Sequence, residues 1–326
     1  MNCTDRPSEA ARPARPIWPL LLFVIAVAAC QSAGDSGAPT PTAIVSRSAN
    51  PIHVVVTLPV FADFVREIGG ENVVVASLIP NGVNPHTYEP RPEDAQLIVD
   101  ADIILVNGLG LEEPALEFIT EHRASGLTLL VTIAANVPSP TAEQPVDQPI
   151  FATQAGDDPH LWLDPKLART YPETVADSLK IVDGENEPFY EATFQAYLER
   201  LQELDREIAE TIEAIPPERR KLVTYHNSLV HFARRYGLDV VGVITEDTAR
   251  GPGPDEIAEL ARMAQDEGVR ALFAEVGFDR VAIEEAAANA GLSVCTLYTD
   301  SVDEGVGTYL EMMRANAREL ARCLGG

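Results

Sequence analysis

The sequence predicts an α/β protein of two lobes, each with a mainly parallel sheet flanked by helices, joined by one long rigid helix. Short β-branched runs alternate with helix-like patterns from Pro51 onward, which is typical of parallel sheets. The alternation occurs twice, before and after a stretch of helical spacing at residues 187–215. The 326 residues are 46% hydrophobic, which is enough apolar material for two cores.

Residues 51–186 are predicted to form the N-terminal lobe. Apolar β-branched runs predict strands at residues 53–58, 73–78, 102–107 and 127–132, and helical spacing predicts helices at 61–68 and 92–99. Residues 136–149 are proline-rich and continue without periodicity to Asp157. An irregular stretch of this length is typical of a functional or disordered segment, so this loop is a candidate to cover a binding site.

A connecting helix is predicted at residues 187–217, where apolar residues recur at helical spacing until two prolines end the pattern. It would be about 40 Å long, enough for a rigid connector. Residues 218–326 are predicted to form the C-terminal lobe, with strands at 222–225, 239–243, 271–275 and 293–298 and helices at 228–236, 254–267 and 280–290. The expected ligand site is the cleft between the lobes, at the strand ends.

The first fifty residues have the composition of a secretion signal and a tether. Three arginines precede an apolar run at residues 17–29, which is shorter than the roughly 20 residues that span a bilayer as a helix. Small residues directly before Cys30 resemble a bacterial lipobox, so residues 1–29 are predicted to be a lipoprotein signal peptide. Cys30 would then be lipidated and anchor an extracytoplasmic protein to the cell membrane; a signal-anchor with an incidental cysteine is the alternative. Residues 30–50 are predicted to be a flexible tether.

The net charge of -26, from 50 acidic and 24 basic residues, argues against nucleic acid or an anionic surface as a partner. An acidic field attracts cations, but acidic surfaces also serve solubility. Charge alone therefore does not indicate a metal.

Three of the six histidines lie in loops that follow predicted strands or adjoin prolines: His86, His160 and His226. A single histidine of this kind is more often structural. Three at the strand ends of two lobes favour a metal site, because neutral imidazole is a common ligand of zinc and related metals. A carboxylate would complete a set of four ligands, and Asp300, after the last predicted strand, supplies one.

Three segments, in order, resemble the zinc- and manganese-binding (cluster A-I) solute-binding proteins of metal ABC transporters. They are residues 84–90, Asn-Pro-His-Thr-Tyr-Glu-Pro; residues 101–112, Ala-Asp-Ile-Ile-Leu-Val-Asn-Gly-Leu-Gly-Leu-Glu; and residues 158–165, Asp-Pro-His-Leu-Trp-Leu-Asp-Pro. The resemblance runs from residue 52 to the C-terminus. It implies a monomeric receptor that binds a metal between its lobes and delivers it to a membrane permease.

The resemblance places the metal ligands at His86 and His160 of the first lobe and at His226 and Asp300 of the second. Three nitrogens and one carboxylate favour Zn²⁺, and related manganese receptors usually have a glutamate where His226 stands. Zinc receptors of this family often have a histidine-rich loop before the second ligand, whereas residues 136–156 contain no histidine. Mn²⁺, or iron, is therefore the alternative metal.

Other polar residues have weaker support. Glu275, at the end of a predicted strand, is a candidate to orient a ligand imidazole, or equally to make an interlobe hydrogen bond. Asp158 and Asp164 are expected to form turns or helix caps. The remaining histidines are expected to tolerate replacement: His53, His122 and His231.

A secreted metal-dependent hydrolase is the alternative from another functional class. It needs three ligands, an open water position and a general base. The sequence contains no His-Glu-x-x-His, no Gly-x-Ser-x-Gly and no glycine-rich phosphate loop, and four candidate ligands leave no obvious water position. We therefore expect no enzyme activity; an adhesin role, ascribed to some related lipoproteins, is compatible with metal capture.

Two cysteines, Cys295 and Cys323, remain once Cys3 leaves with the signal and Cys30 carries lipid. In an oxidising compartment they form either a disulfide or two separate buried thiols. The sequence does not decide between these alternatives.

Overall fold

The computed structural model describes residues 50–124, 126, 128–134, 158–245, 248–302 and 305–325. In the N-terminal lobe it forms the strands β1 (Ile52–Val56), β2 (Val73–Ser77), β3 (Ile103–Val106) and β4 (Leu129–Thr132). They form one sheet in the order β2-β1-β3-β4 with every pair parallel. The flanking helices are α1 (Pro59–Gly69), α2 (Ala95–Val99), α3 (Glu113–His122), α4 (Pro165–Ala168) and α5 (Thr170–Val182).

A long helix, α6 (Glu187–Glu213), leads to the C-terminal lobe. There the strands β5 (Lys221–Thr224), β6 (Asp239–Val243), β7 (Ala271–Glu275) and β8 (Ser293–Leu297) form a second parallel sheet in the order β6-β5-β7-β8. Its helices are α7 (Val230–Tyr236), α8 (Pro254–Asp266), α9 (Val281–Ala290) and α10 (Tyr309–Gly325). The predicted fold class is confirmed.

The predicted strands all occur, each within two residues of its predicted ends. The prediction of a helix at residues 92–99 was wrong for the first three residues. Pro92–Asp94 form a 3-10 turn, and α2 begins after it. The connecting helix ends at Glu213, earlier than predicted, and a second 3-10 turn, Pro217–Arg219, follows it. Four helices have no counterpart among the predicted ones: α3, α4, α5 and α10.

The residue pattern explains why these elements form. All four residues of the central strand β3 are buried, as expected where helices cover both faces of a parallel sheet. In α6, buried side chains recur every three or four residues along one stripe: Tyr190, Phe194, Tyr197, Leu201, Leu204, Ile208 and Ile212. This spacing keeps one side of the helix in the protein core along its whole length.

One apolar core runs through both lobes and α6. Phe64 of α1 packs against Tyr309 of α10 with ring centroids 4.8 Å apart, and against Tyr197 of α6 at 5.9 Å. Because the lobes share this core, separating them widely would expose large aromatic side chains to water. The fold therefore favours small movements of the lobes.

A disulfide joins Cys295 of β8 to Cys323 of α10, with their Cα atoms 6.6 Å apart. It ties the edge strand of the second sheet to the helix that follows it. Asn316 of α10 adds two hydrogen bonds at the same edge, one from the backbone N–H of Tyr298 at 2.9 Å and one to its carbonyl oxygen at 2.7 Å. The segment that leads to Asp300 is thus held against α10.

Several predictions concern residues outside the described ranges. They are the signal peptide and most of the tether, the lipidated Cys30, and the candidate covering loop at residues 136–157. Within the described ranges, no helix combines the length and the apolar character needed to cross a bilayer.

Candidate metal centre

The parallel strands of both sheets end at the cleft, and their connecting loops carry the four predicted ligands. His86 lies in a 3-10 turn after β2, where the Asn84 side chain accepts a hydrogen bond from its backbone N–H. His160 directly precedes another 3-10 turn, Leu161–Leu163. His226 follows β5 by two residues, and Asp300 follows β8 by three.

These four side chains converge on one point. One donor atom from each of His86, His160, His226 and Asp300 lies within 4.8 Å of all the others. The Nε2 atoms of His160 and His226 are 3.2 Å apart, and the Asp300 carboxylate oxygens lie 3.6 and 3.8 Å from them. Ligands at zinc bond lengths in a tetrahedron are separated by about 3.3 Å, so the spacing fits a single ion.

The ring of His160 is oriented by Asp158, also in the N-terminal lobe. The Asp158 Oδ1 atom accepts hydrogen bonds from the backbone N–H of His160 at 2.9 Å and from its ring Nδ1 at 2.7 Å. A carboxylate partner places the ring proton on Nδ1 and leaves the Nε2 lone pair facing the other ligands. His160 is therefore presented to the cleft in the form that can bind a cation.

Glu275, the last residue of β7, binds the backbone of His226 and lies beside its ring. Its Oε2 atom lies 3.0 Å from His226 Nδ1, and its Oε1 atom accepts a hydrogen bond from the His226 backbone N–H at 3.1 Å. The hydroxyl groups of Ser228 and Thr299 donate to the same carboxylate. All these groups belong to the C-terminal lobe, so Glu275 is a partner of the imidazole rather than an interlobe contact.

Burial and charge set the protonation of the cluster. Burial, reinforced by the neighbouring imidazoles, lowers the pKa of His86 to about 2, and burial also lowers the pKa of His160 well below its usual value. Burial alone would lower the pKa of His226, but the Glu275 carboxylate outweighs it and raises that pKa to about 9. Burial raises the pKa of Asp300 to about 7, against the opposing charge of His226. At neutral pH the proton on His226 Nε2 faces the lone pair of His160.

Three polar atoms that face this point have no hydrogen-bond partner within the described part of the chain. They are His86 Nε2 and both carboxylate oxygens of Asp300. A buried carboxylate without a partner is costly, because nothing replaces its hydration. A divalent cation would satisfy all three atoms at once, so the residues present fit a metal.

Residues 54–323 match the protein family described as ZnuA, zinc-uptake complex component A, periplasmic. The chain belongs to this family. It is a substrate-binding protein of the metal ABC transporter type, and the family is one of solute-binding proteins rather than enzymes.

The relatives of this ZnuA-family chain are named for different metals, manganese or zinc. It is 32% identical over 298 residues to the manganese-binding lipoprotein MntA of Halalkalibacterium halodurans, covering 90% of this chain and 94% of the relative. It is 28% identical over 323 residues to the manganese ABC transporter substrate-binding lipoprotein PsaA of Streptococcus anginosus, covering 94% and 96%. Among solved structures, the periplasmic zinc-binding protein TroA from Treponema pallidum is 30% identical with a TM-score of 0.73, covering 85% of this chain and 100% of TroA.

Hydrogen bonds across the cleft hold the two halves of the ZnuA-family site together. Trp162 Nε1 donates to the carbonyl oxygen of Thr299, next to Asp300, at 2.9 Å. The backbone N–H of Gly82 donates to Ser301 Oγ at 3.1 Å, and Asn84 Nδ2 donates to the carbonyl of Thr248 at 3.0 Å. The candidate ligands of opposite lobes are thus joined through hydrogen bonds of the residues beside them.

The less certain sequence predictions have mixed outcomes. Asp164 caps α4 by accepting from the backbone N–H of Lys166, as predicted. The turn role predicted for Asp158 is incomplete, because its carboxylate also receives the His160 ring N–H. Sequence reasoning missed this, although an aspartate two residues before a ligand histidine is a usable signal. His53 is exposed and His122 stacks on Phe118, whereas His231 is buried.

Proposed function

We propose that this protein captures one divalent transition metal, zinc in preference to manganese, and delivers it to the permease of a metal ABC importer. The observation that carries the proposal is the convergence of His86, His160, His226 and Asp300. Three of their facing atoms have no hydrogen-bond partner among the described residues. In this ZnuA-family chain the proposed metal site lies in the cleft between the lobes. The proposal is metal binding without catalysis.

The donor set supports zinc. Three imidazoles and one carboxylate form the nitrogen-rich, four-ligand environment that zinc prefers, and nitrogen ligands bind Zn²⁺ more tightly than Mn²⁺. TroA, named as a zinc-binding protein, supports the same metal. The names of MntA and PsaA favour manganese instead, so Mn²⁺ is the alternative.

Capture is an exchange of protons for a metal. The Nε2 atoms of His160 and His226, 3.2 Å apart, share one proton in the metal-free site, and the ion takes its place between them. The carboxylates of Asp158 and Glu275 keep the Nδ1 protons in place during this exchange. The ligand atoms therefore need little rearrangement, and the shared core limits the lobes to a small tilt.

The N-terminal sequence and the names of relatives support a location for the protein. We propose that Cys30 is lipidated and anchors the protein, as a monomer, on the outer side of the cell membrane, where the permease receives the metal. MntA and PsaA are both named as lipoproteins, which supports this placement.

Metal preference is measured by competition. We expect apo protein to take up one equivalent of Zn²⁺, detected by displacement of a chromogenic chelator, and to retain it against a hundredfold excess of Mn²⁺. The matched variant His226→Glu, which replaces a nitrogen ligand by a carboxylate, should lose much of this preference. If manganese displaces zinc from the wild type, the proposed metal is wrong and manganese replaces it. If the protein binds neither ion, the metal-receptor proposal is wrong.

A further inference from the structure

His231 lies outside the candidate ligand set, yet from the other lobe it contacts Asp158, the partner of the His160 ring. It belongs to α7, is buried, and its Nε2 atom lies 3.3 Å from the carbonyl oxygen of Asp158. A carbonyl oxygen only accepts, so Nε2 carries the proton and donates across the cleft. The residue therefore makes a directed interlobe contact in addition to packing.

The residue it contacts is the one that orients His160. Asp158 Oδ1 holds both the backbone and the ring of His160. Its second oxygen, Oδ2, is buried, has no hydrogen-bond partner in the described part of the chain, and lies 3.8 Å from His231 Nε2. The His231 N–H thus donates to the backbone carbonyl of Asp158 and lies beside its buried carboxylate oxygen.

The helix that carries His231 starts close to His226 in sequence and is held by ion pairs near its other end. It begins four residues after His226, whose ring belongs to the ligand set. Near its other end, Arg235 Nε lies 2.7 Å from Asp205 of α6 and 3.3 Å from Asp164, which caps α4. The position of the His231 ring relative to Asp158 is therefore set by contacts to both lobes and to the connecting helix.

We infer that His231 is a positioning residue of the metal centre: by donating to the backbone carbonyl of Asp158 from the C-terminal lobe, it holds in place the residue whose carboxylate orients His160. This role rests on the proposed metal-receptor function. It links the orientation of a ligand in one lobe to the helix that follows a ligand in the other. It also replaces the sequence-based expectation that His231 tolerates substitution.

A purely structural role makes a different prediction. Phe232 and Tyr236 of α7 are buried next to His231, and an apolar side chain of similar size would maintain their packing. If packing were the whole role, such a replacement would change the melting temperature and leave the zinc affinity of the folded protein unchanged. If positioning is the role, affinity falls and a side chain that retains an N–H donor restores it.

The experiment compares His231→Leu, His231→Met and His231→Gln with the wild type and with a control, His53→Leu, at an exposed position. Zinc dissociation constants come from chelator competition, and apo melting temperatures show which variants are folded. Loss of a residue that orients a metal ligand typically costs 10–100-fold in affinity. We expect the Leu and Met variants to bind zinc about tenfold or more weakly, with the Gln variant and the His53 control within about threefold of the wild type.

The outcomes separate the two proposals. If the wild type binds zinc and a folded Leu or Met variant binds it equally well, the positioning role is wrong and the metal-receptor function stands. If the Gln variant is as weak as the Leu variant, donation to Asp158 is not what His231 contributes, and the role is likewise overturned. If the wild type itself binds no metal, the proposed function fails and this role fails with it.

Discussion

Replacing His160 by alanine is expected to weaken zinc binding by about 10²–10³-fold. Zinc sites with four protein ligands contribute roughly 10–16 kcal/mol, so one ligand is worth about 3–4 kcal/mol, and each 1.4 kcal/mol is a factor of ten. The replacement also removes the ring donor to Asp158 Oδ1, whereas the backbone N–H at this position still donates to it. Equivalent losses are expected for three further alanine variants: His86→Ala, His226→Ala and Asp300→Ala.

The control for these variants is a pair of histidines remote from the cleft. His53→Ala and His122→Ala are expected to bind zinc as the wild type does, because neither ring contacts the ligand set in the described structure. Chelator competition measures the wild type and all six variants under one condition. A His160→Ala protein that is folded and retains wild-type affinity would show that the convergence of these side chains is not the binding site.

Zinc affinity is expected to rise with pH up to about 9, in two stages. His226, with its pKa raised to about 9, must lose a proton on binding at any lower pH. Asp300, with its pKa raised to about 7, must lose a second proton below that value. His86 and His160, with lowered pKa values, are already neutral and contribute none. Affinity should therefore fall about tenfold per pH unit from 9 to 7 and about a hundredfold per unit from 7 to 5.

Proton release gives an independent measure of the same quantity. Calorimetric titrations in buffers of different ionisation enthalpy should show about one proton released per zinc at pH 8 and about two at pH 6. The variant Glu275→Gln removes the charge that raises the pKa of His226, so its affinity should change less between pH 7 and 9. Equal wild-type affinity at pH 6 and pH 9 would contradict the proton exchange.

The strands and α6 could be predicted because their signals are local. β-branched runs and a long apolar stripe are visible without knowledge of tertiary contacts. The start of α10 is different, since its first N–H group, from Tyr309, is capped by Asp63 of the opposite lobe at 2.9 Å. The start of α3 is similarly hidden, because the Glu112 carboxylate accepts from Thr57 and Asn107 instead of capping the helix.

The candidate site was predictable to the level of its ligand types and their positions after strands. The residues that hydrogen-bond to the candidate ligands, or to their partners, were harder to predict. Asp158 and His231 are 73 residues apart in sequence and meet only in the folded cleft. The expected pH response likewise depends on a contact that forms only in the folded site. An ordinary histidine pKa places the loss of affinity below about 6.5, whereas the Glu275 carboxylate beside His226 moves its onset to about 9.

The most direct test of metal capture between the lobes is anomalous X-ray scattering at the zinc edge, from crystals of the mature protein grown with one equivalent of Zn²⁺. The account predicts a single strong peak about 2.0–2.2 Å from the Nε2 atoms of His86, His160 and His226 and from a carboxylate oxygen of Asp300. A peak bound by other residues, or no peak at a zinc concentration that saturates the protein, would contradict it.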